Sequence, residues 1–466
     1  MKHENPERAA LAPLLARAKS AQAAYERYSQ EQVDEVVTAA GWAIVKPENN
    51  RRLAELAVRD TGLGNVADKI SKNERKTLGL LRDLQGARSV GVIAEQPQLG
   101  IVEIARPAGL VAAITPSTNP GATPANKIIN ALKGRNAVIV APSPKGASTC
   151  ALLLEFIDEQ LKKINAPAGL VQMLPAPVTK AATLELMRAC DLVVATGSQA
   201  NVRAAYASGT PAVGVGLGNV AVIVDESADL AGAARKIRES KCFDNATSCS
   251  SENSLVIVER VYRPMLAELE KAGGVLLNED EKKKLRAAMW PDGKLSPAVM
   301  ARPVDDLFKA AGIEPRKADF LMVEETGVGR DSPFSGEKLS LVLTLYKAPT
   351  FDAAFDTVRR IYAYQGAGHS VGIHTRDDAH VMRLGLEMPA ARVIVNQAHA
   401  IANGGAYDNG LPFSLSMGCG TWGRNSISEN MNYRHYLNIT RIVRPIAPRV
   451  PTLEGLFGTY HRKHGK

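Results

Sequence analysis

Cysteine is scarce in this sequence and follows no pattern. Five cysteines, Cys150, Cys190, Cys242, Cys249 and Cys419, are spread through 466 residues. An odd number with no CxxC pair excludes a disulfide framework and a zinc-ligand spacing, so no metal site is expected. Free thiols imply a reducing compartment, and a cytoplasmic location is expected. No run of about 18 apolar residues exists, which leaves no candidate membrane span. The start, Met1-Lys2-His3-Glu4-Asn5-Pro6, lacks the apolar core of a signal peptide. Long Lys/Arg blocks are missing as well. The 57 basic and 48 acidic residues give a formal net charge of +9. They are scattered and belong to no nucleic-acid module, so neither nucleic acid nor membrane is an expected partner. The run Glu281-Lys282-Lys283-Lys284 reads as a solvated helix face. The basic surplus fits either an ordinary soluble surface or a small partner or substrate carrying negative charge.

A chain of this length exceeds one ordinary core, so two domains, or two with a small appendage, are expected. Residues 6–88 read as helices: Leu11, Leu14, Leu15, Ala18, Ala21 and Tyr25 hold a period of about 3.6. Residues 91–106 alternate about the turn-like Gln96-Pro97-Gln98-Leu99-Gly100 and predict a hairpin. From 110 to 216, apolar strand-like runs (110–115, 137–141, 170–174, 192–195, 211–215) alternate with helical segments (125–132, 148–164, 199–207). That alternation predicts an α/β class with a parallel, doubly wound sheet, whose ligands bind beyond the carboxyl ends of the strands. After a helix ending near Cys242 a second alternating region begins, with strand candidates at 254–258, 320–323, 339–346, 370–374 and 391–396. The pattern divides the chain into 1–240, 241–432 and 433–466. The last part carries a strand-like Tyr436–Ile446, expected to join the 91–106 hairpin in a small edge sheet. Edges of this kind pair between subunits, so a homodimer or homotetramer is expected.

Among the thiols, Cys249 stands apart. Its surroundings, Phe243-Asp244-Asn245-Ala246-Thr247-Ser248-Cys249-Ser250-Ser251-Glu252-Asn253, are small and polar and fall between a helix and a strand. A structural thiol prefers apolar neighbours. A polar loop predicts an accessible sulfur with a solvated thiolate, as a nucleophile requires. Cys150 and Cys190 sit in apolar helical segments, Cys242 at a helix end and Cys419 between glycines. Composition alone leaves Cys249 equally open to a nucleophilic and a bystander role.

Glycine clusters are less telling. Gly418-Cys419-Gly420-Thr421-Trp422-Gly423 fits GxGxxG as text but opens no βαβ unit, and reads as a tight loop. Gly214-Val215-Gly216-Leu217-Gly218-Asn219 has the wrong spacing for that fingerprint, and its glycines permit close backbone approach. Thr196-Gly197-Ser198 lies where a strand turns into a helix. Its N–H groups suit a pyrophosphate, and Ser198 equally suits a plain helix cap. His369, in Gln365-Gly366-Ala367-Gly368-His369-Ser370, is either a structural histidine or a base, depending on what faces it.

In this order the pieces resemble the aldehyde dehydrogenase superfamily, from about residue 10 to about residue 446, and most closely its CoA-acylating branch. The motifs that carry the resemblance are Ile114-Thr115-Pro116-Ser117-Thr118-Asn119-Pro120, Ala195 to Ser198, Phe243 to Cys249, Glu337-Lys338-Leu339-Ser340, Gly368-His369-Ser370 and Gly418 to Ser426. The resemblance implies a Rossmann-like cofactor domain (1–240, with the hairpin as an oligomerisation β-flap), an α/β catalytic domain (241–432) and a C-terminal oligomerisation strand and tail (433–466). It implies that Cys249 attacks the aldehyde carbonyl and that Asn119, with the Cys249 backbone N–H, stabilises the oxyanion. Asn119 lies three residues after Pro116, as in the acylating branch. Glu337 is implied to hold the nicotinamide ribose, and Thr196, Gly197 and Ser198 to flank the cofactor.

Two departures qualify the resemblance. Hydrolytic members carry a glutamate general base where this chain has Val215, and valine cannot take a proton. A thioester on Cys249 is then expected to wait for a CoA thiol, which His369 deprotonates. NAD-dependent relatives often have a lysine where this chain has Ala141, with Lys145 soon after. That is compatible with a 2′-phosphate, so NADP is favoured over NAD. The segments Val393 to Ala400 and Gly418 to Asn430 look like those of acylating sulfoacetaldehyde dehydrogenases. Arg424, with Asn396 or His399, is the expected holder of a sulfonate. Arg424 is equally readable as a surface or subunit-contact residue.

Overall fold

The computed structural model describes residues 6–466; the opening segment Met1–Asn5 lies outside the described residues. Four helices come first: α1 (Pro6–Tyr25), α2 (Gln30–Val45), α3 (Pro47–Thr61) and α4 (Val66–Leu84). Their ends are written locally. Ser29 and Gln32 form a capping box on α2, Pro47 opens α3, and Gly62 closes it in the left-handed conformation. Asn65 caps α4 by accepting from the Asp68 N–H.

Strands β1 (Gly91–Gln96) and β2 (Ile101–Pro107) form the expected hairpin. The chain then winds through β3 (Leu110–Thr115), α5 (Ala122–Lys133), β4 (Ala137–Pro142), α6 (Ala147–Lys163), β5 (Val171–Met173), α7 (Lys180–Ala189), β6 (Leu192–Thr196), α8 (Gln199–Tyr206) and β7 (Ala212–Val215). These five strands make a parallel sheet in the order β5-β4-β3-β6-β7. Every residue of β3 and β4 is buried, as a parallel strand covered on both faces requires. Because β4 and β6 flank β3, the winding reverses there. The carboxyl ends of β3 and β6 therefore border the crevice where such sheets take ligands.

The second sheet contains β8 (Val220–Val224), β9 (Glu252–Val258), β10 (Gly274–Leu276), β11 (Phe320–Glu324), β12 (Val342–Ala348), β13 (Val371–His374) and β14 (Val393–Val395). It is parallel throughout, in the order β10-β11-β12-β9-β8-β13-β14. One buried apolar cluster lies on each of its faces. The change of sheet falls between Val215 and Val220, ahead of the boundary drawn near 240 from pattern, because β8 is hydrogen-bonded between β9 and β13. Helix α9 (Leu230–Cys242) then packs against this second sheet. The expected strand 339–346 starts only at Val342, since Leu339 has φ 41°; the expected 391–396 stops at Val395, since Asn396 has φ 53°.

Strand β15 (Leu437–Val443) pairs antiparallel with β2, giving a three-stranded sheet in the order β1-β2-β15. Its outer edge is unpaired and carries the exposed Ile439, Ile442 and Val443. Among the described residues no helix is long and apolar enough to cross a membrane.

Candidate active site

Cys249 sits on the connection from α9 to β9, at the amino edge of the seven-stranded sheet. The loop that carries it is strained. Asp244, Asn245 and Ala246 have φ of 52°, 52° and 60°, a left-handed run of three side-chain-bearing residues. The Asp244 carboxylate holds that run in place. It accepts from the Asn65 N–H (3.0 Å), Lys69 Nζ (3.1 Å), the Thr247 hydroxyl (2.7 Å) and Lys72 Nζ. Its own N–H donates to Asp68 (2.7 Å). Burial pushes the Asp244 carboxyl up, but Lys72 and Lys69 outweigh it and hold it below the usual carboxylate range.

The polar flank of Cys249 does not solvate it. Ser250 and Ser251 are buried, and the cysteine itself is half-buried. Burial, then Glu337 and Cys419, push its thiol up to about 12; the Ser250 hydrogen bond and Arg392 act in the opposite sense. The expectation of a solvated thiolate is corrected on that ground: the resting sulfur is a thiol. Gly218 packs against the Cys249 backbone, and a Cβ there would lie 2.3 Å from the Cys249 carbonyl oxygen. The Gly218 N–H donates to the Glu337 carboxyl, which burial raises to about 8. Glu337 therefore stands beside the sulfur. Val215, at the end of β7, is buried and pairs with Thr196.

Asn119 comes from the other sheet, on the turn between β3 and α5. Lys72 joins it to the nucleophile loop: one ammonium donates to Asn119 Oδ1 (2.8 Å) and to Thr247 Oγ1 (3.1 Å). The structure thus brings Asn119 and the Cys249 loop together across the two sheets.

His369 lies two residues before β13 and is buried. Its Nδ1 meets Ser370 Oγ at 2.8 Å, and the same oxygen meets His399 Nε2 at 2.8 Å. Its Nε2 has no partner within the described chain. Burial, with Arg392 nearby, drops its pKa to about 3, so the ring is neutral. Arg392 ties the region together. It donates to the carbonyls of His369 (2.7 Å), Gly418 (2.9 Å) and Ser428 (3.1 Å) and to Asn403 Oδ1 (2.9 Å). Asn403 in turn donates to Ser250 Oγ (2.9 Å), next to the nucleophile.

The cofactor candidates gather at the carboxyl ends of the five-stranded sheet. Ile114, Thr115, Ala141 and Pro142 line a pocket of about 350 Å³ with Thr179, Lys180 and the first turn of α8. Lys145 is exposed on the turn Pro144–Gly146 at its rim. Thr196 ends β6 and hydrogen-bonds Ser416 (2.7 Å); Gly197 follows at φ 142°, and Ser198 caps α8.

The substrate candidates divide. Asn396 is at the carboxyl end of β14, level with Thr375, whereas Cys249 precedes the amino end of β9. About four residues of strand, roughly 13 Å, separate the two levels. Both ends of its amide are taken by the Thr375 backbone (3.0 and 2.7 Å). The expectation that Asn396 faces substrate is corrected: its strand position points the residue to the wrong end of the sheet. His399 is fully buried, bonded to Ser370 and packed against Gly372, which leaves no face for a sulfonate. Arg424 is exposed at the tip of the loop 417–430, and the structure shows no side-chain contact between it and Cys249. The neighbouring Gly423 packs against Cys419 and Ala367.

Several residues escaped the sequence reading: Lys69, Lys72, Arg392, Asn403 and Glu252. A signal existed for the first two, since Lys69, Lys72, Asn73 and Lys76 repeat at helical spacing on one buried face of α4. Glu252 is buried at the start of β9, where the Ser240 hydroxyl donates to it.

Two parallel sheets thus hold a cysteine at the edge of one and an asparagine offered from the other, an arrangement that fits an aldehyde dehydrogenase. The family model described as "Aldehyde dehydrogenase family" matches residues 3–284, and the chain belongs to that family. It is 62% identical over 460 residues to the sulfoacetaldehyde dehydrogenase (acylating) of Cupriavidus necator, covering 98% of this chain and 93% of that one. To the protein of the same description from Bilophila wadsworthia it is 44% identical, covering 96% and 98%. Among solved structures, an acetylating aldehyde dehydrogenase from Geobacillus thermoglucosidasius superposes with a TM-score of 0.92 at 36% identity, covering 96% and 99%.

Proposed function

We propose that this protein is a CoA-acylating, nicotinamide-dependent aldehyde dehydrogenase acting on sulfoacetaldehyde. The overall reaction is aldehyde + CoA + NAD(P)⁺ to acyl-CoA + NAD(P)H + H⁺. The observation that carries the reading is the near full-length likeness to the Cupriavidus necator enzyme.

The site residues fit the chemistry. Cys249 loses its thiol proton to solvent, and its sulfur bonds to the carbonyl carbon while the carbonyl oxygen takes the negative charge. Asn119 Nδ2 and the Cys249 N–H receive that oxygen. When bound, the nicotinamide supplies the hydride acceptor, and the product on Cys249 is a thioester. His369, through its unpartnered Nε2, takes the proton of the CoA thiol as the CoA sulfur displaces Cys249 as thiolate. Proton return from His369 restores the thiol. The pocket at β3 and β4 suits a dinucleotide's adenosine end, with Thr196 to Ser198 at the turn beside it and Glu337 placed for the nicotinamide ribose. Ala141 and Lys180 line the pocket, and the exposed Lys145 follows its lining residue Pro144, which favours NADP over NAD. Five free thiols suit a reducing cytoplasm. The unpaired edge of β15 supports a homodimer or homotetramer built through that small sheet.

A hydrolytic second reading draws on Glu337, the carboxyl nearest the sulfur. With its pKa raised to about 8 it is mostly protonated at neutral pH and makes a poor base, so the CoA reading is preferred. An aldehyde panel run with and without CoA, and with NAD⁺ against NADP⁺, tests the proposal. Acyl-CoA formation fastest on sulfoacetaldehyde with NADP⁺ is expected; equal turnover without CoA contradicts it.

Arg424 is the remaining candidate for sulfonate recognition, by a guanidinium fork at the loop tip. Arg424→Gln is expected to raise KM for sulfoacetaldehyde about tenfold and leave KM for acetaldehyde nearly unchanged, the loss of one charged hydrogen bond. Equal effects on both substrates rule out that role.

A further inference from the structure

Lys72 lies on the buried face of α4, within neither sheet, and the reaction as derived above makes no use of it. It is 5% exposed. Its three ammonium protons meet three oxygens: Asn119 Oδ1 at 2.8 Å, Thr247 Oγ1 at 3.1 Å and Asp244 Oδ2. One turn earlier, Lys69 Nζ donates to the Thr118 carbonyl at 3.2 Å, so two lysines grip the turn that carries Asn119.

An ammonium group has donors only. The atom of the Asn119 carboxamide that faces it must be the oxygen, because the flipped amide would set NH₂ against NH₃⁺. That turns Nδ2 away from the ammonium, and among the described residues it donates to no partner, which leaves its two protons free for a ligand. The same ammonium also fixes Thr247, two residues before the nucleophile.

We infer that Lys72 is a positioning residue of the oxyanion site: it locks the Asn119 carboxamide with Nδ2 toward the reacting carbonyl and fixes its distance from the Cys249 loop. The inference rests on the reading of Asn119 as an oxyanion donor. With its three protons taken by Asn119, Asp244 and Thr247, Lys72 acts through Asn119. Without it the amide rotates freely, and a donor that must be preorganised loses its advantage.

The test is a double-mutant cycle on the full-length protein, using Lys72→Met, Asn119→Ala and the pair, read by single-turnover NAD(P)H formation and by kcat and cofactor KM. Removing one oxyanion donor lowers kcat by about 10²- to 10³-fold. Lys72→Met is expected to lose about tenfold or more of that in kcat, with cofactor KM nearly unchanged, and to cause no further loss in the Asn119→Ala background. Losses that multiply, or an unaltered rate in Lys72→Met, overturn the role of Lys72. An unaltered rate in Asn119→Ala overturns the oxyanion reading itself, and the Lys72 inference with it. If Lys72→Met fails to fold or to bind cofactor, Lys72→Arg replaces it in the same cycle. Arginine keeps the charge opposite Asp244 but is too long and planar to present the same point donor to Asn119, so the same non-additivity is expected.

Discussion

Replacing Cys249 with alanine is expected to abolish NAD(P)H formation on every aldehyde, a fall on the order of 10⁴-fold or more. No other group in the site can form the thioester. Glu337 is a carboxyl raised to about 8, and Cys419 is buried with its thiol pushed up to about 11. The variant is expected to fold and to bind cofactor normally. The loop around position 249 is held by the Asp244 carboxylate and its four donors, none of which involves the sulfur. Cofactor titration and a melting curve check that the loss is chemical. The resting state of the thiol gives a second readout. With a pKa of about 12, the thiolate fraction rises about tenfold per pH unit between pH 7 and 10. Alkylation of Cys249 by iodoacetamide in the absence of cofactor should rise accordingly, without a plateau. A plateau near neutrality would show that the cleft stabilises the thiolate after all.

Asn119→Ala is expected to lower kcat by about 10²- to 10³-fold, with aldehyde KM changed far less. The asparagine acts where charge develops and contributes little to ground-state binding, so its loss appears in the rate. The substitution also leaves the Lys72 ammonium without one of its three acceptors, which costs stability of about 1–3 kcal/mol. Thermal melting separates that cost from the rate. Asn119→Asp is the informative companion. It keeps an acceptor for Lys72 but offers no donor at neutral pH, and should be about as slow as the alanine variant while melting higher.

Where a strand is buried on both faces, its sequence says so. The continuous apolar runs of β3, β4 and β6 are legible because parallel strands need side chains of one kind on both sides. Val220–Val224 is just as apolar and just as buried, yet it was missed: the glycines from Gly214 to Gly218 run into it and hide the change of sheet. Three-residue β10 is too short to show a period. The proposed roles of Cys249, Asn119, Glu337 and His369 rest on the family resemblance of their motifs.

The supporting charges are harder to read. Lys72 and Asp244 are 172 positions apart, and a row of lysines at helical spacing looks like a solvated face until its partner is placed. Arg392 is similar, since backbone carbonyls supply three of its acceptors and carry no sequence signature. Asn396 failed for a different reason. A short strand-like run does not announce which end faces the chemistry, and only the register of β13 and β14 settles that. The polar neighbours of Cys249 misled as well, because Ser250 and Ser251 turn into the protein.

On the proposed mechanism the thioester on Cys249 waits for CoA and not for water. A stopped-flow measurement of NAD(P)H with sulfoacetaldehyde and cofactor, first without CoA and then with CoA added, tests it directly. A burst of one NAD(P)H per active site that stops is expected, followed by steady turnover once CoA arrives. Continuous NAD(P)H formation without CoA, with sulfoacetate accumulating, would contradict it.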